Sequence, residues 1–345
     1  MEGANLDRWR DINRGVNPIF SRIESIIQSV HSFHMIKMSA SLDSSAVWLI
    51  TGCSSGLGKS IAQAVYNLGH NVVATARNTA ALSYLPDDSS RVLKLKVDVT
   101  SKDSIINAVN ATVEKYGRLD VAINNAGYAL MGDSEGIPEE DARVEVETLF
   151  WGPVFLMQEA VRVFREVNNP RYNIGGTIVN ITSMGGTITV GGNSFYHAGK
   201  FALEGFTKAM AQEMKPEWNI RFLLVAPGGV RTNFAGSETA SLKVAPRHPA
   251  YNTGSDPLSQ ILGYITRPEA VETWSDADRI AGLLVDTLVD AGSKELPRKL
   301  LMGSDAVQYV KLEVERQLKE IGDWKEESES VTTNGGANMD FTGSV

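Results

Sequence analysis

A glycine-rich segment directly after a short apolar run is the feature that most restricts how this chain can fold. Residues 51–58 read TGCSSGLG and follow residues 47–50, which read VWLI. An apolar run of this length that ends in a glycine turn is typical of a buried parallel strand. Apolar residues then recur at helical spacing over 61–68, and Gly69 closes that helix. This part of the chain is therefore predicted to form a strand, a tight turn and a helix.

The alternation of strand and helix continues along the chain. Further strands are predicted at residues 72–76, 92–99, 121–125, 177–181, 220–225 and 300–302. Helices are predicted at residues 101–117, 139–167, 196–214, 274–291 and 305–321. Regular alternation of this kind favours an α/β fold with a single doubly wound parallel sheet (a Rossmann fold) flanked by helices, rather than two domains.

The pattern also divides the chain of 345 residues into three parts. Residues 1–44 are an N-terminal extension, either disordered or an amphipathic helix, because apolar residues recur at helical spacing between Ile19 and Phe33. Residues 45–322 form the predicted catalytic domain, in which the irregular segment 231–270 is the expected substrate loop. The polar tail 323–345 is expected to be disordered.

Composition excludes several classes of function. A net charge of −8 argues against a nucleic-acid-binding protein. No apolar run reaches the ~18 residues of a transmembrane segment. Cys53 is the single cysteine, so an intramolecular disulfide is impossible and a reducing, cytoplasmic location is expected. Cys53 is either a redox-sensitive thiol or a small residue that fills the turn. The histidines show no metal-ligand spacing with Cys53 or with each other, so no metal is expected.

The glycine turn predicts a dinucleotide site. Gly52 and Gly58 allow the backbone to approach a pyrophosphate, and the positive end of the following helix favours its negative charge. The end of the second strand then selects the cofactor. An NAD site places a carboxylate there for the ribose 2′-hydroxyl, whereas this strand ends in Arg77. An arginine can hold a 2′-phosphate, so NADP(H) is the expected cofactor, unless Arg77 is an ordinary surface residue.

A second motif, at residues 196–200 (YHAGK), offers proton chemistry. Lys200 lies four residues after Tyr196 on a predicted helix, so both side chains project from one face. A tyrosine ordinarily has a pKa near ~10, and a nearby cation is expected to lower it. His197, beside Tyr196, is a weaker catalytic candidate. A phenol next to an ammonium is suited to passing a proton to a carbonyl oxygen.

These two motifs, together with Asp98–Val99, residues 124–127 (NNAG), Ser183 and residues 227–232 (PGGVRT), resemble the short-chain dehydrogenase/reductase family over roughly residues 45–305. The resemblance extends to residues 201–206 and 303–306, which look most like the 17β-hydroxysteroid-dehydrogenase-like branch, where many fungal oxidoreductases, including enzymes of secondary metabolism, belong. It implies that Ser183 hydrogen-bonds the substrate carbonyl and that Tyr196 donates the proton while NADPH delivers hydride. Lys200 would tune Tyr196 and hold the nicotinamide ribose. The cofactor contacts implied are Gly52, Ser54, Ser55, Gly56, Leu57, Gly58, Arg77, Asp98, Val99, Asn125, Ala126, Gly127, Tyr196, Lys200, Pro227, Gly228, Val230 and Thr232.

Two positions depart from the family pattern. Leu149 stands where the family usually has an asparagine that supports a proton-relaying water. Gly199 stands where serine is commonest, and little effect on the chemistry is expected from it. Asp98 and the Pro227–Gly228 pair also have plain structural interpretations, as a turn or cap residue and as a strand-ending turn.

The expected function is therefore an NADP-dependent oxidoreductase that interconverts a ketone or aldehyde and an alcohol, on a lipophilic substrate that could belong to secondary metabolism. The expected partners are this small molecule and, because family members often dimerise, a second copy of the chain. Two alternatives stay open: a non-redox protein that binds or isomerises a metabolite on a cofactor scaffold, which Leu149 favours, and a nucleotide-sensing regulatory protein. Residues that can contribute apolar pocket surface, or core instead, are Met131, Phe195, Phe234 and Tyr251.

Overall fold

The computed structural model describes residues 42–87, 89–232, 242–290 and 296–332. Its centre is a seven-stranded sheet in which every neighbouring pair of strands is parallel. In chain order the strands are β1 (Val47–Ile50), β2 (Asn71–Ala76), β3 (Val92–Lys96), β4 (Val121–Asn124), β6 (Gly176–Ile181), β7 (Ile220–Pro227) and β11 (Lys299–Met302). In space their order is β11-β7-β6-β4-β1-β2-β3, which reverses direction beside β1. The predicted doubly wound sheet is confirmed.

Helices cover both faces of the sheet. On one face lie α1 (Gly56–Asn67) and α9 (Ala277–Val289), which pack against each other and on strand residues such as Trp48 and Ile50. The other face is covered by α2 (Lys102–Tyr116), α4 (Gly152–Val163) and α6 (Ser194–Gln212), over residues such as Val47 and Leu49. Alternate residues of one strand thus serve two hydrophobic cores, which explains why the strands are apolar throughout.

The long helical region predicted after β4 is present but not uniform. Two π-helical turns divide it into successive segments, and Pro153 lies in the first turn of one of them, where a missing N–H is tolerated. Leu149 lies inside the first π turn. The segments are α3 (Glu139–Val146), the turn Glu147–Trp151, α4, the turn Phe164–Asn168 and α5 (Asn169–Tyr172).

Short elements lie at the carboxyl edge of the sheet. β5 (Ala129–Met131) pairs with β9 (Leu242–Val244), and β8 (Val230–Arg231) pairs with β10 (Ser275–Asp276). Segment 231–270, which was expected to be a loop, therefore contains regular secondary structure. Its elements are β9, α7 (Pro257–Ile265) and the first residues of α8 (Pro268–Glu272).

Two predicted boundaries were wrong. β3 stops at Lys96, since residues 98–100 form a turn that the Asp98 side chain stabilises. The helix expected from residue 274 begins at Ala277, because Ser275 is paired in β10 and the Asp276 side chain caps the helix.

The last differences are near the C-terminus. α10 (Ser304–Asp323) extends the predicted final helix, and α11 (Lys325–Ser330) lies in the tail expected to be disordered. There Lys325 and Glu329 form an ion pair one helical turn apart, which supports an exposed helix. Most of the predicted extension (1–41) and the end of the tail (333–345) lie outside the described residues. Within the described part of the chain, no helix is long and apolar enough to cross a membrane.

Candidate active site

The glycine turn follows β1 at the carboxyl edge of the sheet, and close packing explains its glycines. A Cβ added to Gly58 would lie 2.3 Å from both the Asn125 Nδ2 and the Gly52 carbonyl oxygen. Gly52 has a φ of +71°, and a Cβ there would lie 2.8 Å from Cα of Ala126. Neither position can take a side chain without moving the backbone, so the turn is pressed against the segment after β4.

The Asn125 side chain hydrogen-bonds to the backbone of the glycine turn. Its Nδ2 donates to the carbonyl oxygens of Thr51 (2.9 Å) and Gly52 (3.1 Å). The Thr51 hydroxyl accepts from the backbone N–H groups of Asn125 and Ala126. The sequence assigned Asn125 to the cofactor cleft as a lining residue, and in the structure its amide ties the two edges of that cleft together.

The turn and the start of α1 fit a dinucleotide phosphate. Ser55 precedes α1 but makes no side-chain cap, and the first turn of α1 contains no acidic residue, so its backbone N–H groups face an anion without competition. Thr232 lies opposite, with its Cγ2 3.3 Å from a Cβ built on Gly56. A cavity of about 470 Å³ opens here, lined by residues that include Ser54, Ser55, Gly56, Lys59, Arg231 and Thr232.

The other predicted cofactor residues have different surroundings in the structure. Arg77 is exposed directly after β2, and its positive charge lowers the pKa of the Tyr128 hydroxyl against the larger effect of burial. Leu57 is buried in the core, so only its backbone can reach a phosphate. Asp98 is exposed and accepts from the Thr100 N–H and hydroxyl, the turn role considered as its structural alternative. Val99 packs against Gly152, whose Cβ would lie 3.0 Å from it.

The segment after β7, which contains Pro227, Gly228 and Val230, is held by a residue that sequence reasoning missed. The Asp305 carboxylate, at the start of α10, accepts from the Gly229 N–H at 2.7 Å. A Cβ on Gly228 would lie 2.2 Å from that carboxylate. Asp305 belongs to the 303–306 stretch quoted for the resemblance, but only the parallel pairing of β11 with β7 reveals what it touches.

Ser183, Tyr196 and Lys200 converge at the end of β6. Ser183 follows the strand and accepts from the Gly185 N–H at 3.0 Å. Tyr196 and Lys200 lie one turn apart on α6, with the Lys200 Nζ 5.6 Å from the Tyr196 ring centre. That Nζ donates to the Ile181 carbonyl oxygen at 2.9 Å. The three predicted catalytic side chains are therefore brought to one place.

The electrostatics differ from the expectation for a simple tyrosine–lysine pair. Burial raises the pKa of Tyr196 above its ordinary value, and hydrogen bonding from Ser183 opposes that rise. Burial also lowers the pKa of Lys200 to about 8, against the opposing charges of Glu145 and Glu204. The expected lowering of the Tyr196 pKa by Lys200 is wrong for this form of the protein, because desolvation outweighs the attraction.

His197 is a structural residue and not a second acid or base. It is buried, its Nε2 accepts from the Val190 N–H at 3.0 Å, and its Nδ1–H therefore donates to the Gly185 carbonyl oxygen at 2.8 Å. Burial lowers the pKa of His197, which keeps the ring neutral. These two bonds fasten the loop after Ser183 to α6.

Leu149 and Gly199, the two departures from the family pattern, are in contact. A Cβ on Gly199 would lie 2.9 Å from the Leu149 Cβ and 3.3 Å from its Cδ1. The buried Leu149 also reaches Gly127, where an added Cβ would lie 3.0 Å from its Cδ2. The prediction that Gly199 has little effect on the chemistry is not tested by this contact, which concerns packing: Leu149 occupies the space that a side chain at position 199 would need.

Two acidic residues near Lys200 were not singled out by the sequence. Glu145 on α3 is fully buried, and its Oε1 accepts from the Leu130 N–H at 2.7 Å. Glu204 on α6 is also buried and binds the Lys299 ammonium at 2.7 Å and the Thr182 hydroxyl at 3.0 Å. In the sequence, neither glutamate can be told apart from the acidic residues that are exposed on helix surfaces.

Cys53 and the expected pocket residues have clear positions. Cys53 is buried, and desolvation raises the pKa of its thiol to about 12, so it fills the turn rather than reacting. Met131 is buried in β5, and Phe195 is half-buried against the same small apolar cluster as Tyr128. Tyr251 is exposed in residues 245–256 between β9 and α7, which we call the lid segment. Phe234 lies outside the described residues. Across the described ranges, no group of three or more acidic, histidine or cysteine side chains could hold a metal ion.

The lid segment is anchored by one arginine. Arg247 donates to the buried carboxylates of Asp133 (2.9 Å) and Asp256 (2.7 Å), and to the Ser259 hydroxyl. These bonds connect the segment after β9 to the loop after β5 and to the start of α7. The lid segment is therefore attached to the loop after β5, in which the Ser134 hydroxyl hydrogen-bonds to the Ser194 hydroxyl at the start of α6.

A doubly wound sheet with a glycine turn, a helix terminus open to an anion and a serine–tyrosine–lysine cluster is the arrangement typical of nicotinamide-dependent dehydrogenases and reductases. Comparison with known proteins identifies the family: the sequence model of the short chain dehydrogenases matches residues 46–243. This chain belongs to that family, whose members use NAD(P)(H).

The curated relatives are oxidoreductases of similar length. The chain is 37% identical over 284 residues to oxidoreductase calM of Penicillium decumbens, a match that covers 81% of this chain and 91% of that protein. It is 35% identical to oxidoreductase BOA17 of Botryotinia fuckeliana, covering 76% and 90%. Among solved structures, a short-chain dehydrogenase from Streptomyces avermitilis is 31% identical, with a TM-score of 0.72 over 84% of this chain and 99% of that one.

Proposed function

We propose that this protein is an NADP(H)-dependent oxidoreductase that interconverts a lipophilic ketone or aldehyde and the corresponding alcohol. The observation that carries the proposal is the convergence of Ser183, Tyr196 and Lys200 at the end of β6, in a sheet whose strand β1 ends in the glycine turn and whose strand β2 is followed by the exposed Arg77. Family membership supports the general class of reaction, and the relative named 3-ketodihydrosphingosine reductase, 36% identical over 193 residues, supports a carbonyl group on a lipophilic substrate.

The bound cofactor would be held by the turn 51–58, the start of α1, Thr232 and Arg77, and its nicotinamide would supply or accept the hydride. The Ser183 hydroxyl orients the substrate carbonyl oxygen, and Tyr196 donates its proton to that oxygen as the negative charge develops. Lys200 lies against Tyr196 and returns a proton to it. Because burial raises the pKa of Tyr196, the phenol stays protonated at neutral pH and is ready to act as an acid.

Cofactor choice follows from Arg77. An arginine at the end of the second strand can form charge-assisted hydrogen bonds with a 2′-phosphate, and no carboxylate stands there to bind a 2′-hydroxyl or to repel a phosphate. We place the substrate under the lid anchored by Arg247, where the half-buried Phe195 and Tyr128 provide apolar surface. The similarity to fungal oxidoreductases leads us to include secondary metabolism and a cytoplasmic location in the proposal.

The test measures NADPH and NADH oxidation by the purified protein with a panel of lipophilic ketones and aldehydes. We expect NADPH-selective turnover that falls by roughly 10²–10⁴-fold in Tyr196→Phe. The matched control is Tyr309→Phe, which changes an exposed tyrosine on α10. Turnover retained in Tyr196→Phe would contradict the acid role, and tight NADPH binding without turnover on any carbonyl would favour the non-redox alternative.

Arg77→Asp tests cofactor choice separately. Loss of a charge-assisted bond and its replacement by repulsion should raise the KM for NADPH by roughly 10–100-fold, with a smaller effect on NADH. Arg171→Asp is the control, because the exposed Arg171 lies on α5, which leads to the opposite edge of the sheet. Equal use of NADPH and NADH by the wild type would refute the NADP(H) assignment.

A further inference from the structure

Glu145 has one carboxylate oxygen that the fold does not use. The side chain is fully buried on α3, and Oε1 accepts from the Leu130 N–H at 2.7 Å. Oε2 is equally buried, and among the described residues it has no hydrogen-bond partner. Buried polar atoms are nearly always paired, so an unpaired carboxylate oxygen beside an active site indicates a functional demand.

The charged and titratable groups around Glu145 come from three other elements. Lys200 and Tyr196 belong to α6, Lys243 to β9, and Tyr128 to the loop after β4. The positive charges of Lys200 and Lys243 favour the carboxylate, but burial is the larger effect and raises the pKa of Glu145 to about 7. Asp141, on the same helix as Glu145, acts on Tyr128 as well. The carboxyl group is therefore poised to hold or release a proton near neutral pH.

Lys200 has one other acidic neighbour, and that neighbour is already occupied. Glu204 contacts the Lys299 ammonium at 2.7 Å, accepts from the Thr182 hydroxyl, and lies 3.8 Å from Lys208. Its negative charge is balanced by those groups. Of the two carboxylates that act on Lys200, Glu145 is the one with an unpaired oxygen.

The apolar side chain of Leu149 also directs attention to Glu145. Leu149, one helical turn after Glu145, fills the space between Gly127 and Gly199, and a Cβ on Gly127 would lie 3.9 Å from the Lys200 Nζ. A leucine can neither donate nor accept a proton. On this side of the buried Lys200, the titratable side chain among the described residues is therefore the carboxyl group one turn earlier.

We propose that Glu145 is a positioning residue for the reaction, whose free Oε2 returns the proton that Lys200 passes to Tyr196. The proposal rests on the proposed carbonyl reduction. The hydride that a bound NADPH would supply forms the new C–H bond, the carbonyl π bond breaks and its electron pair moves to the substrate oxygen, and the Tyr196 O–H bond breaks to protonate that oxygen. A Lys200 N–H proton restores the phenol. The Glu145 O–H proton, directly or through one water molecule, restores the ammonium, and water reprotonates the carboxylate.

Glu145→Gln tests this role without removing the structural bond. The amide oxygen of glutamine can still accept from the Leu130 N–H, but the side chain no longer titrates. We expect kcat for reduction to fall by about 10-fold or more, with little change in the KM for the carbonyl, because proton return slows while binding is unaffected. Glu140→Gln, an exposed acid on the same helix, is the matched control and should behave as the wild type.

The pH profile separates a relay from a purely structural role. Reduction needs protonated donors, so its rate is full at low pH and falls as pH rises through the pKa values of the Glu145–Lys200 pair. Glu145 raises the pKa of both Lys200 and Tyr196, so removing its charge should move this fall to lower pH, by on the order of one unit. An unchanged kcat and an unchanged profile in Glu145→Gln, with Tyr196→Phe inactive, would overturn the relay and leave the proposed function standing.

A second readout needs no substrate. Because the folded-state pKa of Glu145 lies above its unfolded value, the wild type should lose stability relative to Glu145→Gln as pH rises from about 4.3 to 7. The denaturant midpoints of the two proteins should therefore diverge over that range and stay apart above it. A pH-independent difference would overturn the proposal. Full activity in Tyr196→Phe would instead refute the proposed function, and the relay with it.

Discussion

Gly199→Ala should destabilise this protein, although glycine is normally a poor residue inside a helix. An alanine in a helix interior is worth roughly 0.5–1 kcal/mol over glycine. At position 199, however, the new methyl group would lie 2.9 Å from the Leu149 Cβ, an atom next to the backbone that cannot swing away. Overpacking of this kind costs about 1–3 kcal/mol. The expected net loss in unfolding free energy is therefore about 0.5–2 kcal/mol.

Reversible urea unfolding can check this with a double-mutant cycle. In a Leu149→Gly background the Cβ that the new methyl group would meet is absent, so Gly199→Ala should become stabilising by about 0.5–1 kcal/mol, which gives a coupling energy of about 1–3 kcal/mol. The control is Gly205→Ala on the same helix, where an added Cβ meets nothing within 4 Å and should stabilise the protein. If Gly199→Ala stabilises the wild type as much as Gly205→Ala does, the packing argument is refuted.

Three further predictions concern residues around the site. The Cys53 thiol should react with a disulfide reagent only after unfolding, since burial raises its pKa to about 12, and labelling of the native protein would contradict this. The unfolding free energy should fall as pH drops below about 6.5, because a protonated His197 can no longer accept from the Val190 N–H. In His197→Gln, the fall in unfolding free energy that comes from this histidine should be missing from the denaturation curves. Asp305→Ala should raise the KM for the cofactor several-fold by freeing Gly229, whereas an unchanged KM would assign Asp305 to stability alone.

The sheet and its order of elements were predictable because the signals are local. A parallel strand buried on both faces reads as a continuous apolar run, and a glycine turn marks where β1 meets α1. The residues at which strands and helices begin and end were less predictable, because they depend on hydrogen-bond partners from other parts of the chain. Ser275 reads as part of a helix until its pairing with Val230 in the short β8–β10 ladder is known.

The catalytic cluster was also predictable in part. The spacing of Tyr196 and Lys200 places both on one face of a helix, whatever surrounds them. Glu145 was not predictable, because it stands among exposed acids such as Glu139 and Glu140 in a segment that reads as a charged surface helix. Its burial depends on β5 and α6, which lie far from it in the sequence and pack against α3.

The sequence by itself determined the layered fold, the glycine turn and the residue types that can hold a dinucleotide and transfer a proton, since each follows from local pattern and side-chain chemistry. Only the tertiary structure decided how those groups are poised. The pKa of Tyr196 is raised, that of Lys200 is lowered and Glu145 keeps a free oxygen, because desolvation and hydrogen-bond partners come from elements distant in the chain. The close contact between Leu149 and Gly199 is likewise set by tertiary packing, and the spacing of residues along the sequence does not reveal it.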